Sequence, residues 1–175
     1  MKVPPFGLTT EEIRAELAPL RSDFSVAVCR AKNPFNVGAI IRVAHSFLVR
    51  EIILVGDAPF YERAAMGMDK YENIVEVKDE AALLDHARER HLPVIALERD
   101  HGSTVSLWTA ALPDACLMVF GNEDFGVGPE LLAAADQVVA IPMYGINHSF
   151  PVAVAAGIAM AEWTRRHVAK LARDG

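Results

Sequence analysis

The sequence predicts an α/β domain with a parallel sheet covered by helices on both faces. Three observations carry this. Short apolar runs alternate with helical patterns along the chain, as in a sheet built from strand–helix–strand units. The runs are almost continuously hydrophobic, the pattern of strands buried on both faces rather than of strands with one wet face. With 175 residues, 52% hydrophobic and 23% charged, the chain has the usage and length of one globular domain with its own core.

The elements follow in order. Residues 9–18 (TTEEIRAELA) predict a short helix, with Thr9 and Glu12 spaced as a capping box. FSVAVCR (24–30) is a β-branched, apolar strand. Residues 36–49 predict a helix, with Asn36 as its N-cap because Pro34 forces Asn33 out of helical geometry. EIILVG (51–56) is a strand, and the Gly67 region a loop or broken helix. NIVEV (73–77) is a weak strand, 79–91 an amphipathic helix, and PVIALE (93–98) a strand. Residues 100–113 form a connection. CLMVFG (116–121) and QVVAIP (137–142) are strands flanking a short helix at PELLAAA, and a long helix runs over 152–170. The chain is expected to be one domain over 1–175, with 1–22 as a short helical extension.

Net charge is −6, and residues 57–118 hold 12 of the 23 acidic side chains. A basic nucleic-acid-binding footprint over the whole surface is thereby excluded, while a local basic site in the N-terminal third remains open. Two distant cysteines, Cys29 and Cys116, make no disulfide framework, and no Cys/His group has zinc spacing. No apolar stretch reaches membrane-spanning length and the N-terminus lacks a signal-peptide core. A reducing cytoplasm, no metal and no membrane are expected.

Ligands of open α/β sheets bind beyond the carboxyl ends of strands, and three loops there are unusual. In AKNPFNVGAIIRVAHSF, Ile40, Ala44, Phe47 and Leu48 make a core stripe. Gly38, Arg42, His45 and Ser46 lie on another face. Gly38 weakens a helix by about 1 kcal/mol relative to Ala, so it should admit something close. Arg42 is either a phosphate grip or an ordinary surface arginine. GNEDFGVGPELL is glycine-rich but is neither a Walker loop nor a dinucleotide fingerprint; its carboxylates are Glu123 and Asp124. IPMYGINHSFPVAVAAGIAM leads a Gly/Asn/His/Ser loop into a helix rich in small residues. His148 and Ser149 there are candidate base and nucleophile, or merely loop residues, since neither has a visible triad partner.

Together these loops resemble the three motifs of the SPOUT superfamily of knotted methyltransferases, in its SpoU (TrmH-like) branch. NPFNVGAIIRVAHSF resembles the first, MVFGNEDFGVGPELL the second and VVAIPMYGINHSFPVAVAAGIAMAEW the third, in order, over residues 24–165. The resemblance implies a C-terminal deep trefoil knot, bound S-adenosylmethionine and a homodimer. It also implies methylation of an RNA ribose 2′-hydroxyl, with tRNA favoured over rRNA. By position it makes Arg42, Asn36, Glu123 and Ser149 catalytic residues. Leu97, Gly121, Ile141, Met143, Ser149 and Val152 would line the cofactor pocket. The chain departs from the family at Pro151, where an Asn is common, and Asn147 or His148 would then substitute. A non-catalytic RNA- or cofactor-binding module of the same fold is the alternative. The small residues Ala153, Ala156, Gly157 and Met160 of the last helix are expected to present a face for close packing in the dimer.

Overall fold

The computed structural model describes residues 7–29, 32–57, 59–99 and 102–171. The expected strand end at Arg30 and the first six residues of the N-terminal extension lie outside them. The elements are α1 (Thr10–Leu17), β1 (Ser25–Cys29), α2 (Pro34–Ser46), β2 (Ile52–Val55), α3 (Glu62–Ala65), β3 (Ile74–Val77), α4 (Glu80–Glu89), β4 (Val94–Leu97), β5 (Val105–Ser106), β6 (Leu117–Phe120), α5 (Pro129–Ala134), β7 (Gln137–Ala140) and α6 (Val152–Leu171). The seven strands form one sheet in the order β3-β2-β1-β6-β4-β7-β5, and every pairing is parallel. β5 falls inside the expected connection 100–113. Two residues at a sheet edge carry no periodicity for a sequence to display.

The runs SVAVC, IILV and LMVF are buried along their whole length, because helices cover both faces. Side chains alternate between two cores. Val26, Val28, Ile52, Leu54, Met118 and Phe120 pack under α2 and α6, while Ala27, Cys29, Ile53, Val55, Leu117 and Val119 pack under α4 and α5. Both cysteines are buried and unbridged, and burial pushes the Cys116 thiol up to about 12, so it carries no reactive thiolate at neutral pH.

The capping box forms: the Thr9 hydroxyl accepts from the Glu12 backbone N–H, and the Glu12 carboxylate accepts from that of Thr9 at 2.7 Å. α1 is tied to the body through Arg14, which donates to the Glu72 carbonyl, and through buried Leu17. Arg21 donates to the Val49 and Tyr71 carbonyls and to buried Glu72, which also meets Nδ1 of His45 at 2.8 Å. The N-terminal helix is therefore built into the sheet domain.

Two expectations are corrected here. Helix α2 begins at Pro34, and its N-cap is Asn33, whose side-chain oxygen accepts from the Phe35 N–H at 3.0 Å. Proline is well suited to the first helical position, so the cap moves to the residue before it and Asn36 is left free for another partner. The small-residue face of α6 is also not an outer surface. Ala156 and Met160 are fully buried, Ala153 packs on the same core, and Gly157 faces Val43 of α2 at 3.7 Å from where a Cβ would stand. The small side chains let α6 press against α2 within one subunit.

Beyond that face α6 is clamped to the segment joining β5 to β6. Trp163 donates from Nε1 to the Pro113 carbonyl at 2.9 Å, and Arg166 donates to the carbonyls of Leu107 and Ala110. Buried Glu162 accepts from Arg165 at 2.8 Å and from Arg166 at 2.7 Å.

Candidate active site

At the carboxyl ends of β4, β6 and β7 the three following loops enclose a cleft of about 750 Å³, a volume suited to a drug-sized or nucleoside-sized ligand. Strand order reverses between β1 and β6, and the cleft lies to one side of that point, over the ends of β6, β4 and β7. Every residue expected to hold a cofactor lines it: Leu97, Gly121, Ile141, Met143, Ser149 and Val152. Glu123 and His148 are on the same wall.

The glycine loop after β6 is a miniature hairpin. Asn122 and Gly126 exchange both backbone hydrogen bonds at 2.8 and 2.9 Å, and the Asn122 side-chain oxygen accepts from the Asp124 N–H at 2.7 Å. A Cβ on Gly121 would stand 2.1 Å from the Gly126 backbone, and Gly126 has φ +68°. Both glycines are required by the turn itself. The Glu98 carboxylate braces it from below, accepting from the Val127 N–H at 3.0 Å. Sequence reasoning missed Glu98, because a lone acid after a strand carries no spacing signal.

Glu123 ties this loop to the start of α2. One carboxylate oxygen accepts from Asn36 Nδ2 at 2.8 Å and the other from the Lys32 backbone N–H at 2.9 Å. Partial burial alone raises its pKa. The hydrogen bonds from Asn36 and from the Lys32, Glu123 and Asn33 backbones outweigh it, so the carboxyl stays below its ordinary value. An anion with both oxygens engaged is a strut rather than a proton acceptor. Alongside it Lys32 Nζ meets Asp124 at 2.6 Å, and that contact raises the ammonium pKa. The two asparagines thus divide the labour: Asn33 caps α2 and Asn36 docks the glycine loop on it.

Arg42 is not on the cleft wall. It projects from the exposed side of α2, and its guanidinium has no partner among the described residues. Within one subunit the structure therefore brings Glu123 and Ser149 to the cleft, joins Asn36 to it only through Glu123, and leaves Arg42 apart. Pro151 stands at the start of α6, its carbonyl accepting from Val154 and Ala155 at 2.9 and 3.0 Å. Asn147 donates its side-chain amide to the Ser149 carbonyl at 3.2 Å, shaping the loop. His148 is exposed.

The cleft fits a nucleoside in size and lining. Leu97, Ile141, Met143 and Val152 offer apolar walls for a flat ring. Glu98, Arg99, Glu123 and Asp124 supply its charged groups, with Asp124 paired to Lys32. Among the described residues no cluster of three metal-ligating side chains exists, and no helix is long and apolar enough to cross a membrane.

The fold and the cleft define a parallel α/β protein with a nucleoside-sized ligand site beyond the carboxyl ends of its strands. Residues 23–161 match the SpoU rRNA Methylase family, and the chain belongs to that family. Among relatives, the 23S rRNA (guanosine-2′-O-)-methyltransferase RlmB of Nitrosomonas europaea is 32% identical over 141 residues, 78% of this chain and 54% of that protein. The tRNA (guanosine(18)-2′-O)-methyltransferase of Aquifex aeolicus is 28% identical over 91% of this chain and 77% of its own length. The chain thus spans about half the length of the rRNA enzyme. In solved structures the fold matches the A. aeolicus TrmH/SpoU tRNA modifying enzyme with TM-score 0.81, at 27% identity over 92% of this chain and 83% of that one. It also matches an AdoMet-bound rRNA methyltransferase from Sinorhizobium meliloti, with TM-score 0.76 at 27% identity over 89% and 60%.

Proposed function

We propose that the protein is an S-adenosylmethionine-dependent RNA 2′-O-ribose methyltransferase, with tRNA as its preferred substrate over rRNA. The observation that carries this is the cleft at the ends of β4, β6 and β7, on which all six expected cofactor residues fall together. When bound, the cofactor supplies an electrophilic sulfonium methyl that a ribose hydroxyl attacks directly, without a metal or a covalent enzyme intermediate. Leu97, Ile141 and Val152 hold its ring, Gly121 and Met143 flank it by backbone and side chain, and Ser149 offers a hydroxyl at the cleft mouth.

The chain's own work is positioning, and holding two reactants in line accounts for much of such a rate enhancement. Glu123 and Asn36 act by keeping the glycine loop docked. Arg42 grips the phosphate beside the target ribose, orients the hydroxyl and stabilises charge. A guanidinium stays protonated in proteins and is a poor proton acceptor. A homodimer supplies the missing geometry, with Arg42 of one subunit completing the cleft of the other. Phe125, Tyr144 and Ile146, which are 88%, 92% and 99% exposed on the cleft loops, suit burial against a second copy. The C-terminal third is threaded as a deep trefoil knot, a reading that rests on the family to which the chain belongs. Residues 1–175 act as one catalytic domain in the cytoplasm, with 1–22 as its N-terminal extension.

Calorimetry with S-adenosylhomocysteine and NAD tests the cofactor, and Arg42→Ala tests the division of roles. The expected result is binding of S-adenosylhomocysteine alone, and an Arg42→Ala variant that binds it normally but transfers no methyl. Preference for NAD, or equal loss of cofactor affinity in the variant, overturns the assignment.

A further inference from the structure

We propose that Phe35 and Tyr61 form a stacking platform for an unpaired nucleobase of the RNA substrate, next to the nucleotide being methylated; this rests on the RNA-methyltransferase reading above. The two rings stack with centroids 4.6 Å apart and planes 29° from parallel. They are 59% and 37% exposed, so one face of the pair is open to solvent. The platform is braced by main chain on both sides. Tyr61 donates its N–H to the Pro34 carbonyl at 3.0 Å, and the Phe35 N–H is held by the Asn33 side chain. Gly38 makes the approach possible: a Cβ there would stand 2.6 Å from the Tyr61 carbonyl oxygen and 2.9 Å from Ala64. The glycine that weakens α2 thus serves to bring Tyr61 beneath Phe35.

Its position selects the ligand. On α2, Phe35, Ala39, Arg42 and Ser46 recur at i, i+4, i+7 and i+11, so they share one face, and all four are exposed or half-buried. Seven residues at about 1.5 Å each put Phe35 and Arg42 about 10 Å apart along the axis, within reach of one RNA strand. Asn36, the next residue round the helix, is bonded to Glu123 at the cleft. An exposed ring pair beside an unpartnered guanidinium is the combination that holds single-stranded nucleic acid, rings stacking on bases and arginine on the backbone. Stacking also suits a chain of net charge −6, because it needs no long-range attraction.

The test compares Phe35→Ala, Phe35→Trp, Phe35→Leu and, as a distant exposed aromatic, Trp108→Ala. Methyl transfer to bulk bacterial tRNA and rRNA gives the KM for RNA, and calorimetry gives the Kd for S-adenosylhomocysteine. Loss of one stacked base is worth roughly five- to 150-fold in binding. Phe35→Ala is expected to raise the RNA KM about tenfold by that measure, while the S-adenosylhomocysteine Kd holds. Phe35→Trp restores the KM, Phe35→Leu does not, and Trp108→Ala changes neither. An unchanged RNA KM in Phe35→Ala, equal rescue by Leu and Trp, or a parallel loss of S-adenosylhomocysteine affinity overturns the platform while leaving the methyltransferase intact. A wild-type protein that neither binds S-adenosylhomocysteine nor methylates RNA overturns the underlying reading and the platform with it.

Discussion

Asn36→Ala isolates the contact that docks the glycine loop. It removes the side-chain hydrogen bond to Glu123, the one of 2.8 Å from Nδ2, and leaves the backbone donors, the Lys32 N–H among them, in place. Hydrogen bonds to charged groups contribute about 1.5–3 kcal/mol. Glu123 is solvent-exposed, so screening reduces this to about 1 kcal/mol. If the docked loop is the binding-competent form, the apparent Kd for S-adenosylhomocysteine rises by at most the change in docking, about fivefold. Global stability falls by a similar energy, or about 2–4 °C in Tm. The pH dependence follows from the depressed Glu123 pKa. A carboxyl lowered in the docked state contributes fully above its ordinary value near 4.5 and loses that contribution as pH falls through its folded value. The affinities of wild type and Asn36→Ala therefore differ most above about 4.5 and converge as pH falls below it. Calorimetric titrations from pH 7.5 down to 4, in a double-mutant cycle with Glu123→Ala, provide the measurement. Strictly additive losses in the double variant, or wild-type affinity in Asn36→Ala, would refute the strut.

Other consequences concern the frame that holds the site. Glu162 is held down to about 2 by its hydrogen bond to Arg165 and by Arg166, against the opposing effect of burial. Glu162→Gln should cost about 2 kcal/mol at pH 7, reduced by exposure of Arg165. The urea midpoints of the two proteins should converge as pH falls from about 4.5 toward 2. Gly38→Ala should lower Tm by about 2–4 °C, because the clash with the Tyr61 carbonyl exceeds the helix-propensity gain of about 1 kcal/mol. A rise in Tm would mean that α3 yields freely. Arg42→Ala and Ser149→Ala subunits, each inactive alone, should regain about a quarter of wild-type activity when co-refolded, if two composite sites form across a symmetric dimer. No recovery in proven mixed dimers would place both residues in one subunit's site.

Much of this architecture is legible in local spacing, because local spacing reports local hydrogen bonds. Thr9 and Glu12 mark the first helix start, and the all-apolar runs at β1, β2 and β6 announce strands covered on both faces. Sheet order is not legible. The pairing of Ser25 with Leu117 joins residues far apart in the chain, and nothing near either one names the other. The helix cap shows the limit at closer range. Asn33 and Asn36 are both good caps, and Pro34 at the first helical position was the signal that decides for Asn33. Gly38 was readable as a point of close approach, but its partner, the backbone of α3, is supplied only by the fold. The small residues of α6 signalled tight helix packing correctly, yet they meet α2 of the same chain. Motif 2 was legible as a tight turn, while the brace from Glu98 beneath it was not.

The central claim is transfer of a methyl group to an RNA ribose, and it is tested most directly by the chemistry of the product. The protein is incubated with methyl-labelled S-adenosylmethionine and bulk bacterial tRNA or rRNA, and the RNA is digested to nucleosides and resolved by mass spectrometry. The account predicts label in a 2′-O-methylated nucleoside, more from tRNA than from rRNA, abolished by Arg42→Ala. Label on a base, or no label from a protein that binds S-adenosylhomocysteine, would contradict it.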